Sequence, residues 1–508
     1  MRDLDSLTSW NSQWSDLKVA VLGLGATGFS AADTLAELKA DVLVIADSAS
    51  DNRIEMANVI GVTLALGGSS EEQIAALSAH APDIVIVSPG YPQDHPLLEW
   101  SRKSHVALWT EIELAWRLRD KTGTPAEWIA ITGTNGKTTT AQLAAHILST
   151  AGFRAGAVGN IGIPVLDAIR YPDGFDFLVV ELSSFQLHGM PRTGVGAISP
   201  LASVCLNIAD DHLDWHGSRA AYANAKATVY ANTRIAAVYN RAVPSTLAMV
   251  EDADVIEGCR AIGFGLDTPG PSDFGIVSDL LADRAFGDDR HNVADELFTL
   301  DELRHNGLSA PHMIANVLAA SALTRAAGVS IEALRAGVAS FETDAHRNQL
   351  VLLSGGVSWV NDSKATNSHA ASASLSAVDP VVWIVGGLLK GVDVAPLVQQ
   401  HARRLKAAIV IGNDRLAILA AFERHAPQIP VFEVDSTDTK HVMPRAVEMA
   451  HGIATEGDTV LLAPAAASMD QFTSYADRGE KFAAAVRERV GGSDDDAIDA
   501  SPTTPASD

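Results

Sequence analysis

Cysteine is nearly absent. The two residues in 508, Cys205 and Cys259, cannot build a disulfide framework, which excludes the small stapled scaffolds of oxidising compartments and fits a reducing one. Basic residues are also scarce, 37 Lys and Arg against 62 Asp and Glu, for a formal net charge of −25. A field of that sign repels a phosphate backbone, so general nucleic-acid binding is disfavoured. Small anions remain admissible, because a few cations and backbone amides in one cleft outweigh the global field at contact range. No uninterrupted apolar run of about 18 residues occurs, so no membrane span is expected. The start, Met1-Arg2-Asp3-Leu4-Asp5, lacks a basic segment leading into an apolar run. What is present is a globular composition, 47% hydrophobic and 19% charged, and at roughly 150 residues per domain the length suggests about three domains. The expectation is a cytoplasmic enzyme.

Short β-branched runs alternate with longer Ala/Leu-rich periodic segments, the βαβ pattern of a parallel sheet. A first set predicts strands at 19–22, 42–45 and 84–87. After the Thr122-Gly123-Thr124-Pro125 break a second set predicts strands at 128–131, 177–180, 204–207 and 235–239. Residues 267–304 are rich in Asp, Gly and Pro and read as an irregular excursion, ending where a helix begins at Pro311-His312. A third set predicts strands at 359–360, 381–385, 408–411 and 459–462. The last residues, 491–508, are acidic and rich in Ser, Pro and Thr, too poor in apolar area to offset their ordering entropy, and read as a disordered tail.

The first strand runs into Gly23-Leu24-Gly25-Ala26-Thr27-Gly28, a GxGxxG turn that lets backbone approach a pyrophosphate at a helix N-terminus, and Asp47 follows the next strand where a ribose hydroxyl could be bound. Alone this suggests an NAD enzyme; another nucleotide diphosphate, or a tight turn with no ligand, satisfies the same pattern. A sharper signal is Thr132-Gly133-Thr134-Asn135-Gly136-Lys137-Thr138-Thr139-Thr140 between a strand and a helix. Loop amides and Lys137 hold phosphates in such a site and Thr138 reaches Mg2+. The strict GxxxxGK[ST] spacing is not met, since Ile131 stands where its first glycine would be. Lysine at a helix start is unfavourable against the macrodipole unless an anion is present, so the loop points to ATP. Two further strand ends, at Glu181 and at Asp210-Asp211-His212, place an acid and an imidazole where parallel sheets bind ligands.

Five ordered motifs, Gly133-Thr134-Asn135-Gly136-Lys137-Thr138-Thr139, Glu181-Leu182-Ser183-Ser184-Phe185-Gln186, Asp211-His212-Leu213-Asp214, Asn361-Asp362-Ser363-Lys364-Ala365-Thr366-Asn367 and Ala467-Ser468-Met469-Asp470-Gln471-Phe472, together resemble the Mur ligases, and among them the D-glutamate-adding branch. The likeness spans about residues 18 to 485. It implies an α/β protein of three domains: a Rossmann-like UDP-binding domain at 1–118, a central P-loop-type ATPase domain with a mostly parallel sheet at 119–343, and a C-terminal Rossmann-like amino-acid-binding domain at 344–490. It also implies ATP-dependent ligation of D-glutamate to UDP-N-acetylmuramoyl-L-alanine through an acyl phosphate, by a monomer using two Mg2+ ions.

The resemblance assigns residues as follows. Gly133, Thr134, Asn135, Gly136, Lys137, Thr138 and Thr139 match the triphosphate loop, with Thr138, Glu181 and His212 at the metal. Lys226 matches the family's carbamylated lysine, a further metal ligand; from the residues alone it is an ordinary solvated helix lysine. Gly25, Ala26, Thr27, Asp47, Ser48, Ser88 and Gly90 match the UDP site, with Asn160 and Ser183 toward the rest of that substrate. Asn316, Arg347, Asp362 and Lys364 match ATP contacts, and Thr366, Lys390, Ser468 and Tyr475 the D-glutamate site. Where many relatives read His-Asn-x-x-Asn, His312 is followed here by Met313, so only Asn316 carries over. The absence of an Asp-Asn-Pro-Arg motif argues against the diaminopimelate-adding branch. A folylpolyglutamate synthase would not be expected to carry the first domain. An NAD-dependent oxidoreductase leaves Lys137, Glu181 and His212 unexplained.

Overall fold

The structure, a computed structural model, describes residues 3–287, 289–342, 346, 348–389, 391–435, 439–491 and 498–499. Two compact units divide the chain, Met1–Phe341 and Glu342–Asp508. Among the described residues no helix is long and apolar enough to cross a membrane.

The first unit carries two sheets. One has five parallel strands in the order Thr63–Leu66, Asp41–Ala46, Lys18–Leu22, Ile84–Val87, Ala107–Thr110. Its central strand reads Val-Ala-Val-Leu without alternation because helices cover both faces, and all four of those side chains are buried. The strand order reverses between Lys18–Leu22 and Ile84–Val87, which opens a crevice at their carboxyl ends. There the helix Ala26–Glu37 starts directly after the glycine turn.

The second sheet has nine strands, in the order Asp295–Thr299, Leu280–Asp283, Asp273–Val277, Arg260–Phe264, Ala236–Asn240, Ala202–Cys205, Glu127–Thr132, Phe177–Glu181, Ala155–Gly159. It is parallel from Ala155–Gly159 through Asp273–Val277 and antiparallel beyond. The segment 267–304 is therefore not the irregular excursion its composition suggests. Three short strands extend the sheet and bury Phe274, Leu281, Ala282, Leu297 and Phe298. Runs of only four or five residues between Asp- and Gly-rich turns carry too few periods to register as strands. The strand expected at 204–207 ends at Cys205, because the Asn207 side chain leaves the ladder to bond the main chain of Asn135.

One apolar cluster runs through both halves of this unit, joining Trp14 and Trp109 of the first to Trp128, Leu182 and Leu187 of the second. Trp116 meets Trp128 edge-on at 5.1 Å. Arg170 binds Asp33 at 2.6 Å and Glu37 at 3.0 Å.

The second unit holds a seven-stranded sheet, in the order Val431–Glu433, Leu405–Ile411, Val381–Gly386, Thr459–Leu462, Val357–Asn361, Gln349–Ser354, Ile498–Asp499. Its first five strands are parallel, and separate apolar clusters fill its two faces. Of the acidic segment 491–508, only Gly491 and the two-residue strand Ile498–Asp499, paired antiparallel to Gln349–Ser354, lie among the described residues.

Candidate active site

Strand Glu127–Thr132 lies between Phe177–Glu181 and Ala202–Cys205, so the glycine loop leaves the sheet flanked by the ends of both neighbours. Gly136 caps helix Lys137–Thr150 at φ 83°, a left-handed conformation that favours glycine. A Cβ there would also run into Asn316 Oδ1, which places Asn316, buried on helix Pro311–Ala326, directly against the loop. The loop is fixed from below: Asn135 N–H donates to Asn207 Oδ1 at 2.8 Å, Asn207 Nδ2 donates to Asn135 O at 3.0 Å, and Thr134 Oγ1 pairs with Tyr222 Oη at 3.0 Å.

Two lysines converge on this loop. Lys137 Nζ donates to the carbonyls of Gly133 at 3.0 Å and Thr134 at 2.9 Å. Lys226 Nζ donates to the same Gly133 carbonyl at 2.8 Å and lies 4.8 Å from the Tyr222 ring centroid. Lys226 is only 2% exposed, and burial, reinforced by the Lys137 charge, pushes its amine down to about 7. A solvated helix lysine is not what the fold makes of it.

Glu181, also buried, ends its strand with both oxygens engaged, Oε2 accepting from Thr138 Oγ1 at 2.8 Å and Oε1 from Asn160 Nδ2 at 3.0 Å. Among the described residues no three His, Cys, Asp or Glu side chains cluster as a protein-only metal cage would. One carboxylate beside one hydroxyl instead suits Mg2+, which prefers oxygen and takes its remaining ligands from phosphates and water. His212 adopts φ 52°, its ring 4.7 Å from Phe185 and its Nε2 3.6 Å from Asp211 Oδ2.

At the crevice of the first sheet, a Cβ on Gly28 would strike the Gly23 carbonyl, and one on Gly23 would meet Ser88 Oγ at 3.0 Å. The glycines thus allow tight helix packing and bring Ser88 against the turn. Gly25 has nothing within 4 Å of a Cβ, leaving space over the helix start formed by Ala26 and Thr27. Asp47 accepts from Gln73 Nε2 at 2.8 Å, Ser48 is exposed, and Gly90 follows at φ 105°. Ser183 caps the next helix, accepting from Gln186 N–H at 3.2 Å.

In the second unit, Lys364 Nζ lies 4.9 Å from the Tyr475 ring and donates to its hydroxyl at 3.2 Å. Asp362 accepts from Asn348 N–H at 3.3 Å and from Ser374 Oγ. The Leu388 and Ala467 main chains exchange hydrogen bonds at 2.9 and 3.0 Å, setting the Gly386-Gly387 loop beside the turn that carries buried Ser468. Thr366 N–H donates to Lys364 O at 2.8 Å. Arg347 and Lys390 lie outside the described residues. Sequence reasoning missed Arg478, fully buried, which donates to Ser363 Oγ and O at 3.0 and 2.9 Å and to Ala466 O at 3.1 Å. It also missed Tyr222, Asn207 and Gln73. A polar residue whose only task is to hold a loop leaves no local signal.

The sequence model of the Mur ligase middle domain matches residues 131–324, that of the Mur ligase glutamate ligase domain 346–466, and that of the Mur ligase MurD-like N-terminal domain 17–109. UDP-N-acetylmuramoylalanine--D-glutamate ligase of Leifsonia xyli is 58% identical over 98% of each chain. The ligases of the same name from Streptomyces avermitilis, at 47% over 94% of this chain and 99% of theirs, and from Tropheryma whipplei, at 44% over 96% and 99%, are also similar. Among solved structures, UDP-N-acetylmuramate-alanine ligase MurC of Thermotoga maritima shares the fold at TM-score 0.56 and 16% identity, covering 93% of this chain and all of its own. With three family domains matched in order and relatives similar over nearly the whole length, the chain belongs to the Mur ligase family.

Proposed function

We propose that the chain is an ATP-dependent amide-bond-forming ligase that joins D-glutamate to UDP-N-acetylmuramoyl-L-alanine, releasing ADP and phosphate, in cytoplasmic assembly of peptidoglycan precursors. The observation that carries this reading is the meeting of Lys137, Lys226, Thr138 and Glu181 around the glycine loop, at the ends of two neighbouring strands, in a chain 58% identical over its length to a ligase of that name.

A free carboxylate is a poor acyl donor. In the proposed reaction the L-alanyl carboxylate attacks the γ-phosphorus of ATP, ADP leaves, and an acyl phosphate forms. The amine of D-glutamate, having lost its ammonium proton, then adds to the acyl carbon, and the tetrahedral intermediate expels phosphate as the amide forms. In-line phosphoryl transfer asks for positioning and charge neutralisation. The amides of Gly133 to Thr139 with Lys137 hold the phosphates, and Asn316 sits on the nucleotide side. Thr138 and Glu181, with His212 and Lys226 as its carbamate, would hold Mg2+, which when bound supplies charge neutralisation across the transferring phosphates. Asn160, tied to Glu181, and Ser183 orient the incoming carboxylate.

Gly25, Ala26, Thr27, Asp47, Ser48, Ser88 and Gly90 bind the UDP moiety. Residues 344–490 supply Thr366, Lys390, Ser468 and Tyr475 to D-glutamate, and Arg347, Asp362 and Lys364 to ATP. Residues 1–118 and 119–343 serve the sugar nucleotide and ATP, and the enzyme works as a monomer. The test is phosphate release from ATP and Mg2+ with UDP-N-acetylmuramoyl-L-alanine across D-glutamate, L-glutamate, L-alanine, L-lysine and meso-diaminopimelate. Release with D-glutamate alone, and a product heavier by one glutamyl residue, is expected. Turnover with a different amino acid instead would overturn the assignment of Thr366, Lys390 and Ser468.

A further inference from the structure

Residues 3–17 precede strand Lys18–Leu22 and pack on the joint between the first two sheets. Leu7, Trp14 and Leu17 are buried in the apolar cluster that both sheets share, and Trp14 meets Trp109 edge-on at 6.5 Å. Arg117 ends helix Glu111–Arg117, and its guanidinium is buried 4.1 Å from the Trp109 ring centroid. From there Nη1 donates to the carbonyls of Leu4 and Leu7, both at 3.1 Å, while Nε and Nη2 hold Glu113 Oε1 at 3.0 and 2.8 Å. A Cβ on Gly196, which leads into the second sheet's strand Ala202–Cys205, would collide with that same Glu113 oxygen. One buried ion pair therefore holds the segment 3–17 on one side and faces the second half on the other.

Asp120 lies in the connection from that helix to strand Glu127–Thr132. It accepts from Trp10 N–H at 2.7 Å and from Ser9 Oγ, and Trp14 Nε1 donates to Ser9 O at 2.9 Å, which closes the segment on itself. The Trp10 ring centroid lies 4.1 Å from Lys121 Nζ, a cation–π contact that restricts the lysine, and Lys121 donates to Glu37 Oε1. Glu37 ends helix Ala26–Glu37, whose N-terminus is the glycine crevice, and its Oε2 accepts from Arg170 Nε at 3.0 Å. Arg170 also reaches Asp33 Oδ2 at 2.6 Å and Thr34 Oγ1 at 3.1 Å on that helix. It follows helix Val165–Ile169, which starts shortly after Asn160. Exposed ion pairs add little singly. These share partners, so they connect Trp10 to the helix of the glycine crevice and to the segment that bears Asn160.

A nucleotide whose diphosphate lies at the glycine crevice and whose far carboxylate must meet the glycine loop contacts both sheets. Its affinity depends on those two sets of contacts being held at one separation, because a joint that wanders must be ordered at the expense of binding. We propose that residues 3–14 are a strap that braces this joint and fixes the separation, with Arg117 and Asp120 as the positioning residues on which it docks. The inference rests on the sugar-nucleotide reading of the first domain. Ligands that do not cross the joint, UDP at the crevice and ATP at the glycine loop, do not sense the separation.

The double variant Trp10→Ala, Asp120→Ala loosens the strap and leaves Leu7, Trp14 and Leu17 in the core. Calorimetry is expected to show it binding UDP-N-acetylmuramoyl-L-alanine ~10-fold more weakly than wild type does, with UDP and Mg-ATP unchanged. Trp10→Phe with Asp120→Asn, which keeps a ring for Lys121 and an acceptor for the main chain of residue 10, is expected to recover most of that affinity. Unchanged affinity for the sugar nucleotide, or an equal loss for all three ligands, reduces the segment to core packing and overturns the proposal. A distance measurement needs no ligand. In a Cys259→Ser background, with Cys205 buried, spin labels are attached at Glu55→Cys and Ala248→Cys, exposed positions on helices Asp51–Val59 and Pro244–Glu251 of the two halves. One narrow distance is expected, broadening in the Trp10→Ala, Asp120→Ala variant, and equal widths overturn the strap whatever the ligands do. If the distance broadens but wild type binds neither UDP nor the sugar nucleotide, the brace stands and the sugar-nucleotide reading fails.

Discussion

Lys226 shows how far one side chain can depart from what its neighbours in sequence suggest. In Tyr222-Ala223-Asn224-Ala225-Lys226 nothing marks it out. Only the fold buries it under the glycine loop, against the Gly133 carbonyl and within the field of Lys137. An ordinary lysine is neutral in only about one molecule in a thousand at neutral pH, whereas an amine held near 7 is neutral in a large fraction. Carbamate formation requires that neutral amine, and it replaces a second cation beside Lys137 with an anion, which relieves repulsion and supplies oxygen ligands. Intact-mass measurement of the native protein in bicarbonate buffer is expected to reveal an adduct of one CO2 that is absent from Lys226→Ala, and the variant is expected to lose ~100-fold or more in kcat. Full activity of the variant in bicarbonate-free buffer would contradict the assignment.

At the scale of elements, the strand–loop–helix unit was readable because its glycines, lysine and threonine are contiguous. The strand end bearing Glu181 was readable because buried parallel strands are short apolar runs that stop at a polar residue, whereas His212 lies beyond the end of its strand at Cys205, at the start of the short helix Leu213–His216. Arg478 was not readable, since two of its hydrogen bonds go to Ser363, 115 positions away. The antiparallel strands of 267–304 were lost to short length and turn-rich composition. Contiguity also makes the loop vulnerable at Gly136, where a side chain meets two penalties, left-handed φ and collision with Asn316. Gly136→Ala is expected to lower kcat/KM for ATP by at least ~10-fold, from backbone strain and a displaced Asn316. Because Asn316→Ala removes the collision and also the nucleotide contact proposed for that side chain, the double variant is expected to be less impaired than the product of the two single effects. Simple multiplication of the single effects in steady-state ATP kinetics would show that the collision does not couple the two positions.

The whole molecule joins two units that each bury their own apolar clusters, three in Met1–Phe341 and two in Glu342–Asp508. In the first unit two sheets share one of those clusters and cannot separate without exposing it. Cooperative unfolding follows shared cores, so heating is expected to resolve two transitions, with 1–341 melting together despite its two sheets. Ligand linkage then assigns them. The sugar nucleotide, if bound through Gly25 and Ser88 as proposed, is expected to stabilise only the first unit, by about 2.7 kcal/mol at a concentration of 100 Kd. For a unit of this size that corresponds to a rise of a few degrees in one transition and none in the other. Hydrogen exchange resolved by peptide identifies which residues open in each step. D-glutamate alone, if held by Thr366, Ser468 and Tyr475, moves the remaining transition. A single transition that shifts as a whole with either ligand would mean that the two sets of cores unfold as one, and that binding energy gained at one substrate's residues is already shared with those of the other.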